Sequence, residues 1–227
     1  MQYAVPPTDI VSVEIAGEAA RFPVRRIFGV GRNYVAHIRE MGGDERDPPF
    51  YFTKPADAIV PTGSTIDYPP MTANLHYECE LVVAIGKGGR DIPESEALDH
   101  IYGYAVGLDM TRRDVQNALR EKKRPWDMGK AFDQSAPIGK IHPVSQVGHV
   151  LKGPLWLKVN GETKQDSVLE LMIWNVQETI ANLSGYLELA PGDLIYTGTP
   201  DGVGPVVAGD VMLGHIDGLS DLTITIR

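Results

Sequence analysis

The chain has 227 residues, with 30 acidic and 21 basic side chains and a net charge of −9. That length supports one large domain with a sizeable core, or at most two small ones, and the acidic balance argues against nucleic acid or an anionic membrane as the main partner. The single cysteine, Cys79, excludes an intrachain disulfide and suits a reducing compartment. The N-terminal stretch has no basic segment followed by an apolar one, and no run approaches the ~20 apolar residues of a membrane helix. A soluble cytoplasmic protein is expected. Gly and Pro are spread along the chain, without repeats or a linker, so one domain over residues 1–227 is the simplest reading.

In chain order, "IVSVEIAGEAARFPV" reads as two short strands around Ala16-Gly17-Glu18. "RNYVAHIREMGG" reads as a short helix that Asn33 can cap and Gly42 can end. "DPPFYFTKPADAIVPTGSTIDYPP" is a Pro-punctuated stretch with short extended pieces. "YECELVVAIGKGGRDI" reads as a strand followed by a Gly-rich turn, and "YGYAVGLDM" as another strand. "TRRDVQNALREKK" is a helix with a capping-box start from Thr111 to Asp114. "GPLWLKVNGETKQ" is a hairpin around Asn160-Gly161. "NVQETIANLSGYLEL" is a helix capped by Asn175 with Glu178 three residues on, and the end returns to strands. The spacing predicts a β-rich α+β core with short helices outside it, not a regular βαβ sheet.

Chemistry enters at "ECE". In a strand, Tyr77, Cys79, Leu81 and Val83 share one face and Glu78, Glu80, Val82 and Ala84 the other. At ~6.6 Å the two carboxylates repel by about 2.5 kcal/mol at an effective dielectric of ~20. Either this end of the strand is wet or a cation sits there. Cys79 points away and reads as a small core residue. Asp109 ends an apolar strand just before a helix, which makes it either a helix-entry residue favoured by the dipole or a third oxygen ligand for a hard cation. His37 and Glu40, at i and i+3, share a helix face. They are either a solvated surface pair or a water-activating base, and the "GGDERD" that follows suits a closing lid. Lys130, between Gly129 and Phe132, is expected to point inward at an anion. "YTGTPDGVGP" (196–205) is either an ordinary turn or, with Thr199, a carboxylate cradle. "GVGRNY" has two glycines of a dinucleotide loop but Tyr34 in place of the third, so that reading fails.

With these residues in view, "GRNYVAHIREMG", "FTKPADAIV", "HYECELVVAIGKGGRDI", "GYAVGLDMTRRDVQ", "WDMGKAFDQSAPIG", "LKVNGE" and "LAPGDLIYTGTPDGVGPV" in this order and spacing resemble the fumarylacetoacetate hydrolase family. The match runs from about Arg26 to about Gly204, with the first ~20 residues outside it. The resemblance implies a mixed β-sandwich roll with short peripheral helices, usually dimeric. It implies Glu78, Glu80 and Asp109 as ligands of Mg²⁺ or Mn²⁺, His37 and Glu40 as a lid dyad, and Lys130 as the catalytic-site lysine. Arg113, Gln116 and Thr199 fall on positions that meet the keto-acid end of a small anionic substrate. Cys79 departs from the apolar residue expected between the glutamates. The activity implied is hydrolytic C–C cleavage of a 2,4-diketo acid such as fumarylpyruvate or another acylpyruvate. Oxaloacetate decarboxylation or keto–enol isomerisation at the same site is the near alternative, and a non-catalytic metal-binding protein the distant one.

Overall fold

The computed structural model describes residues 2–34 and 47–227. Apolar alternation sets its layers. In the strand Cys79–Ile85 every residue is buried. Cys79, Leu81, Val83 and Ile85 enter one apolar cluster, and Val82 and Ala84 enter another on the opposite face. A strand covered on both sides reads as an apolar run, as this one does.

Its sheet is eight-stranded. The order is Phe50–Lys54, Arg26–Gly31, Asp193–Tyr196, Cys79–Ile85, Ile101–Leu108, Ala136–Ile138 and Ile59–Pro61, with His142–Pro143 also paired to Ile101–Leu108. One face packs on a five-stranded sheet, ordered Glu162–Val168, Pro154–Val159, Val211–Ile216, Leu222–Ile226 and Thr65–Ile66. Leu155, Leu157, Met212 and Ile224 bring that sheet into the first cluster. The other face is covered by the ribbon Ser12–Glu14 and Arg21–Pro23 through Val13 and Phe22. A small third sheet joins Thr111–Arg112, Leu75–Tyr77 and Gly204–Val206. This is the expected β-rich roll.

The helices described are α1 (Arg113–Glu121), α2 (Asp127–Lys130), α3 (Val144–Val147) and α4 (Val176–Tyr186). No helix of the described residues is long and apolar enough to cross a membrane. α4 starts with the expected capping box, Asn175 and Glu178 each accepting the other's backbone N–H. The hairpin turn at Asn160-Gly161 has positive φ at both residues (51° and 82°), the signature of a type I′ turn.

Two expectations need correction. The strand read as starting at Tyr77 is broken at Glu78: Tyr77 ends a separate strand, Leu75–Tyr77, of the small sheet, and Cys79–Ile85 belongs to the large one. The alternation continues across the break, which is why the sequence hides it. The capping box at Thr111 does not form. α1 begins after Arg112 without a side-chain cap, Thr111 is held by Lys130, and Asp114 binds Thr72 and the Ala73 N–H instead. Asn33 Oδ1 accepts from the Trp174 N–H and its Nδ2 donates to the carbonyls of Trp174 and Thr197; the helix end it is expected to cap lies outside the described residues. The helix expected over 32–43 falls mostly outside the described residues.

The failed dinucleotide motif has a packing explanation. In the register of neighbouring strands, Gly29 faces Phe52 and Gly31 faces Phe50. A Cβ on either glycine would lie 2.3 or 2.0 Å from the opposing ring. The glycines make room for two aromatic rings, and no phosphate loop is built.

Candidate active site

The two central strands carry the acids. Glu80 lies within Cys79–Ile85, and Asp109 follows the last residue of its neighbour Ile101–Leu108. With Glu78 they offer oxygen atoms that all lie within 4.8 Å of one another, and all three residues are buried. At that spacing each pair of charges repels by about 3.5 kcal/mol at an effective dielectric of ~20. The cluster therefore needs cations.

Three are built in. Lys130, 1% exposed, places Nζ 2.7 Å from Glu78 Oε2 and 2.7 Å from Thr111 Oγ1, and also donates to Asp109 Oδ2. Arg113 donates from Nη2 to Glu78 Oε1. Lys54 lies 2.7 Å from Asp109 Oδ1, but its hydrogen bonds go to the carbonyls of Met110 and Lys130. Its contact with Asp109 is one of charge, and Asp109 Oδ1 is left without a hydrogen bond.

The electrostatics follow from this arrangement. Burial pushes the Glu78 carboxyl up, but Lys130 and Arg113 outweigh it and hold it well below the usual carboxylate range. Burial also opposes the Lys130 ammonium, and the charges of Asp109 and Glu78 reverse that and raise it. Burial lowers Lys54 against the pull of Asp109. Glu80 has no cation in contact among the described residues, only the Gly198 N–H at 2.9 Å. Burial and the charges of Asp109 and Glu78 push it well above its ordinary value. A buried carboxylate without a cation in contact and three carboxylates in one cluster fit a hard divalent ion. No other group of three His, Cys, Asp or Glu side chains among the described residues does so.

A ring of hydrogen bonds fixes the link between the glutamates. Gln165, 1% exposed in the facing sheet, accepts from the Cys79 N–H at 3.0 Å and donates to Thr199 Oγ1 at 2.8 Å. The Thr199 hydroxyl donates to the Cys79 carbonyl at 2.9 Å. Cys79 itself packs into the core, as expected from its face.

Above the acids opens a cavity of about 250 Å³. Glu78, Glu80, Arg113, Gln116, Lys130 and Thr199 line it, with Phe52 and Trp126 as an apolar wall. Gln116 accepts from Arg113 Nη1. Asp109 lies behind the acids, 0% exposed. The structure thus brings together Glu78, Glu80, Asp109, Arg113, Gln116, Lys130 and Thr199. His37 and Glu40 lie outside the described residues. Sequence reasoning missed Lys54 and Gln165. Alternation along "FYFTK" puts Phe50, Phe52 and Lys54 on one face, a usable signal for Lys54. Gln165 is the one buried residue of an otherwise exposed or half-buried strand, and nothing local marks it.

Residues 26–227 match the family described as fumarylacetoacetate (FAA) hydrolase, C-terminal. The chain belongs to the fumarylacetoacetate hydrolase family. Among its members, a fumarylpyruvate hydrolase of Ralstonia sp is 52% identical over 177 residues, covering 78% of this chain and 92% of that one. The crystal structure of fumarylpyruvate hydrolase from Pseudomonas aeruginosa in complex with Mn²⁺ and pyruvate is 55% identical, with 99% of each chain covered and a TM-score of 0.96. The mitochondrial oxaloacetate tautomerase of Homo sapiens is 43% identical over 203 residues, covering 89% of this chain and 92% of that one.

Proposed function

We propose that this family member is a metal-dependent hydrolase that cleaves the C–C bond of a 2,4-diketo acid, fumarylpyruvate or another acylpyruvate, to pyruvate and a carboxylic acid. The carrying observation is the convergence of Glu78, Glu80 and Asp109 with Lys130 and Arg113 at the floor of one cavity. The chain that builds this floor is more than half identical to two fumarylpyruvate hydrolases. In this reading Glu78, Glu80 and Asp109 hold Mg²⁺ or Mn²⁺, both of which suit carboxylate oxygens. Once bound, the cation supplies Lewis acidity toward the carboxylate and 2-keto oxygens of the substrate.

The chain's own groups divide the remaining work. Arg113 and Lys130 place positive charge at the floor, where the anionic head of the keto acid binds and where enolate charge develops. This reconciles an acidic protein with an anionic substrate. Because Gln116 Oε1 is taken by Arg113, its amide N–H₂ is left to donate to the substrate. Thr199 gives its hydroxyl proton to Cys79 and sets the wall beside Glu80. His37, oriented by Glu40, takes a proton from water. The water oxygen bonds to C4 as the C3–C4 bond breaks. The electron pair passes to C3, is delocalised as the enolate of pyruvate, and takes up a proton there. A homodimer, and a soluble keto acid met in a reducing compartment, belong to the same reading.

The tautomerase relatives favour a second reading, keto–enol interconversion of oxaloacetate, which uses the same floor without delivering water to C4. One assay separates the possibilities. The protein is incubated with Mg²⁺ and fumarylpyruvate, acetylpyruvate or oxaloacetate. Loss of the diketone ultraviolet band with pyruvate release identifies hydrolysis. CO₂ from oxaloacetate identifies decarboxylation, and a change in enol absorbance without CO₂ identifies tautomerisation. Silence on all three leaves a binding protein. Full hydrolase activity in His37→Ala would remove His37 from the water-activating role.

A further inference from the structure

We propose that Arg120 is a specificity-determining residue that binds the distal carboxylate of a dicarboxylic diketo acid, an inference that rests on the hydrolase reading above. On α1, Arg113, Gln116, Asn117 and Arg120 recur at i, i+3, i+4 and i+7, which is one face of a helix. All four line the cavity above the acids. The face is graded. Arg113 is engaged by Glu78 at the floor and Gln116 is buried, whereas Arg120 is exposed at the outer end. Arg113 already has a carboxylate partner. Arg120 has none among the described residues.

Arg32, at the end of the strand Arg26–Gly31, is also exposed and lines the same cavity. Among the described residues, the acids that line the cavity are Glu78 and Glu80, both at the floor. Between floor and mouth stand Phe52 and Trp126, a surface suited to a flat, unsaturated chain. Among the described residues the cavity therefore has three zones: a cationic floor for the keto-acid head, an aromatic wall, and a basic mouth whose described lining carries no acid.

Lengths agree with this division. Arg113 and Arg120 are separated by about 10.5 Å along the helix axis at 1.5 Å per residue. An extended chain advances about 3.5 Å per three bonds, so the six bonds from one terminal carbon of fumarylpyruvate to the other span roughly 7 Å. Two flexible arginine side chains on that face bring their guanidinium groups within reach of both ends. An acylpyruvate ending in a methyl group offers Arg120 nothing, and leaves the mouth unused.

The test measures kcat/KM of wild type, Arg120→Gln and Arg120→Lys on fumarylpyruvate and on acetylpyruvate. The ratio of the two values is expected to fall at least tenfold in Arg120→Gln, chiefly through KM for fumarylpyruvate, and to recover in part in Arg120→Lys. An unchanged ratio in Arg120→Gln overturns the inference while leaving the hydrolase reading intact. A wild type that hydrolyses neither compound overturns the hydrolase reading. The same ratio is then taken from calorimetric affinities of the two diketo acids for the Mg²⁺-loaded protein, and the Arg120 inference stands or falls on that.

Discussion

Asp109 donates its backbone N–H to the carbonyl of Glu78 at 2.9 Å. The ladder that pairs Cys79 with Leu108 is thereby continued one step past the strand Ile101–Leu108, and two acids far apart in sequence leave the ladder together. Their side chains meet again on Lys130. The acidic cluster is thus an extension of strand pairing, built from the ladder that joins the two central strands.

Ion binding is expected to stabilise the fold. Each of the three carboxylates repels the other two, and Glu80 has no cation in contact among the described residues. At an Mg²⁺ or Mn²⁺ concentration of 100 times Kd the linkage amounts to about 2.7 kcal/mol. Thermal unfolding of EDTA-treated protein should show a higher midpoint after either ion is restored. In Glu80→Gln that increment should largely vanish, with the metal-free midpoint equal to or above wild type because a buried charge has been neutralised. An equal increment in both proteins would place the ion elsewhere.

Gln165→Leu should loosen the site without touching it. The substitution leaves the buried Cys79 N–H without its partner and frees the Thr199 loop, at a cost of about 1–3 kcal/mol for each unsatisfied group. Urea unfolding should report the loss as a lower midpoint with an unchanged m-value. Divalent-ion affinity should fall with it, since Cys79 spaces Glu78 from Glu80. Unaltered ion affinity in a destabilised variant would confine Gln165 to packing.

Gly29→Ala should be costly although it adds a single methyl group. The new Cβ meets the Phe52 ring at 2.3 Å, and overpacking of this kind costs about 1–3 kcal/mol. Phe52 lines the cavity and stands 4.9 Å under the Lys130 ammonium, so activity should fall as well. The double variant Gly29→Ala, Phe52→Leu should recover part of the stability and not the activity.

His215 gives the fold a pH dependence away from the site. Its ring stacks on Trp156 at 4.6 Å, with Lys158 on the same indole, and its two nitrogens reach Asp221 at 2.6 Å and Asp217 at 3.1 Å. Burial lowers its pKa, but the bonds to the two aspartates outweigh it and the net shift is upward from 6.5. A raised value in the folded state means stability is complete below about pH 6.5 and lost as pH climbs through the folded value. Stability measured from pH 6 to 9 should decline over that window in wild type and flatten in His215→Gln. A proton NMR titration of His215 placing its pKa at or below 6.5 would contradict the assignment.

What the sequence disclosed depended on range. Period-two alternation over 79–85, the Asn160-Gly161 turn and the Asn175–Glu178 box are local rules, and each appears as read. Thr111 obeyed a local rule on paper and broke it in the fold, because Lys130, distant in sequence, claims its hydroxyl. The break at Glu78 escaped notice because Tyr77 and Cys79 enter the same cluster on either side of it. The glutamates drew notice because two carboxylates in an apolar run need either water or a cation, and the structure buries both beside Asp109. Gln165 acts from the facing sheet, and no spacing in the chain announces a partner that only folding supplies, whereas Lys54 is marked by the face it shares with Phe50 and Phe52.

Since Glu78 sits where the backbone crosses from the small sheet to the large one, the acidic cluster proposed to hold the ion is mechanically coupled to both. Glu80 and Asp109 ride on central strands that cannot shift without disturbing the core. Glu78 follows Leu75–Tyr77, a three-residue strand braced by Thr111–Arg112 and Gly204–Val206. Anyone wishing to retune ion preference while keeping every ligand has a lever in that short strand and its two neighbours.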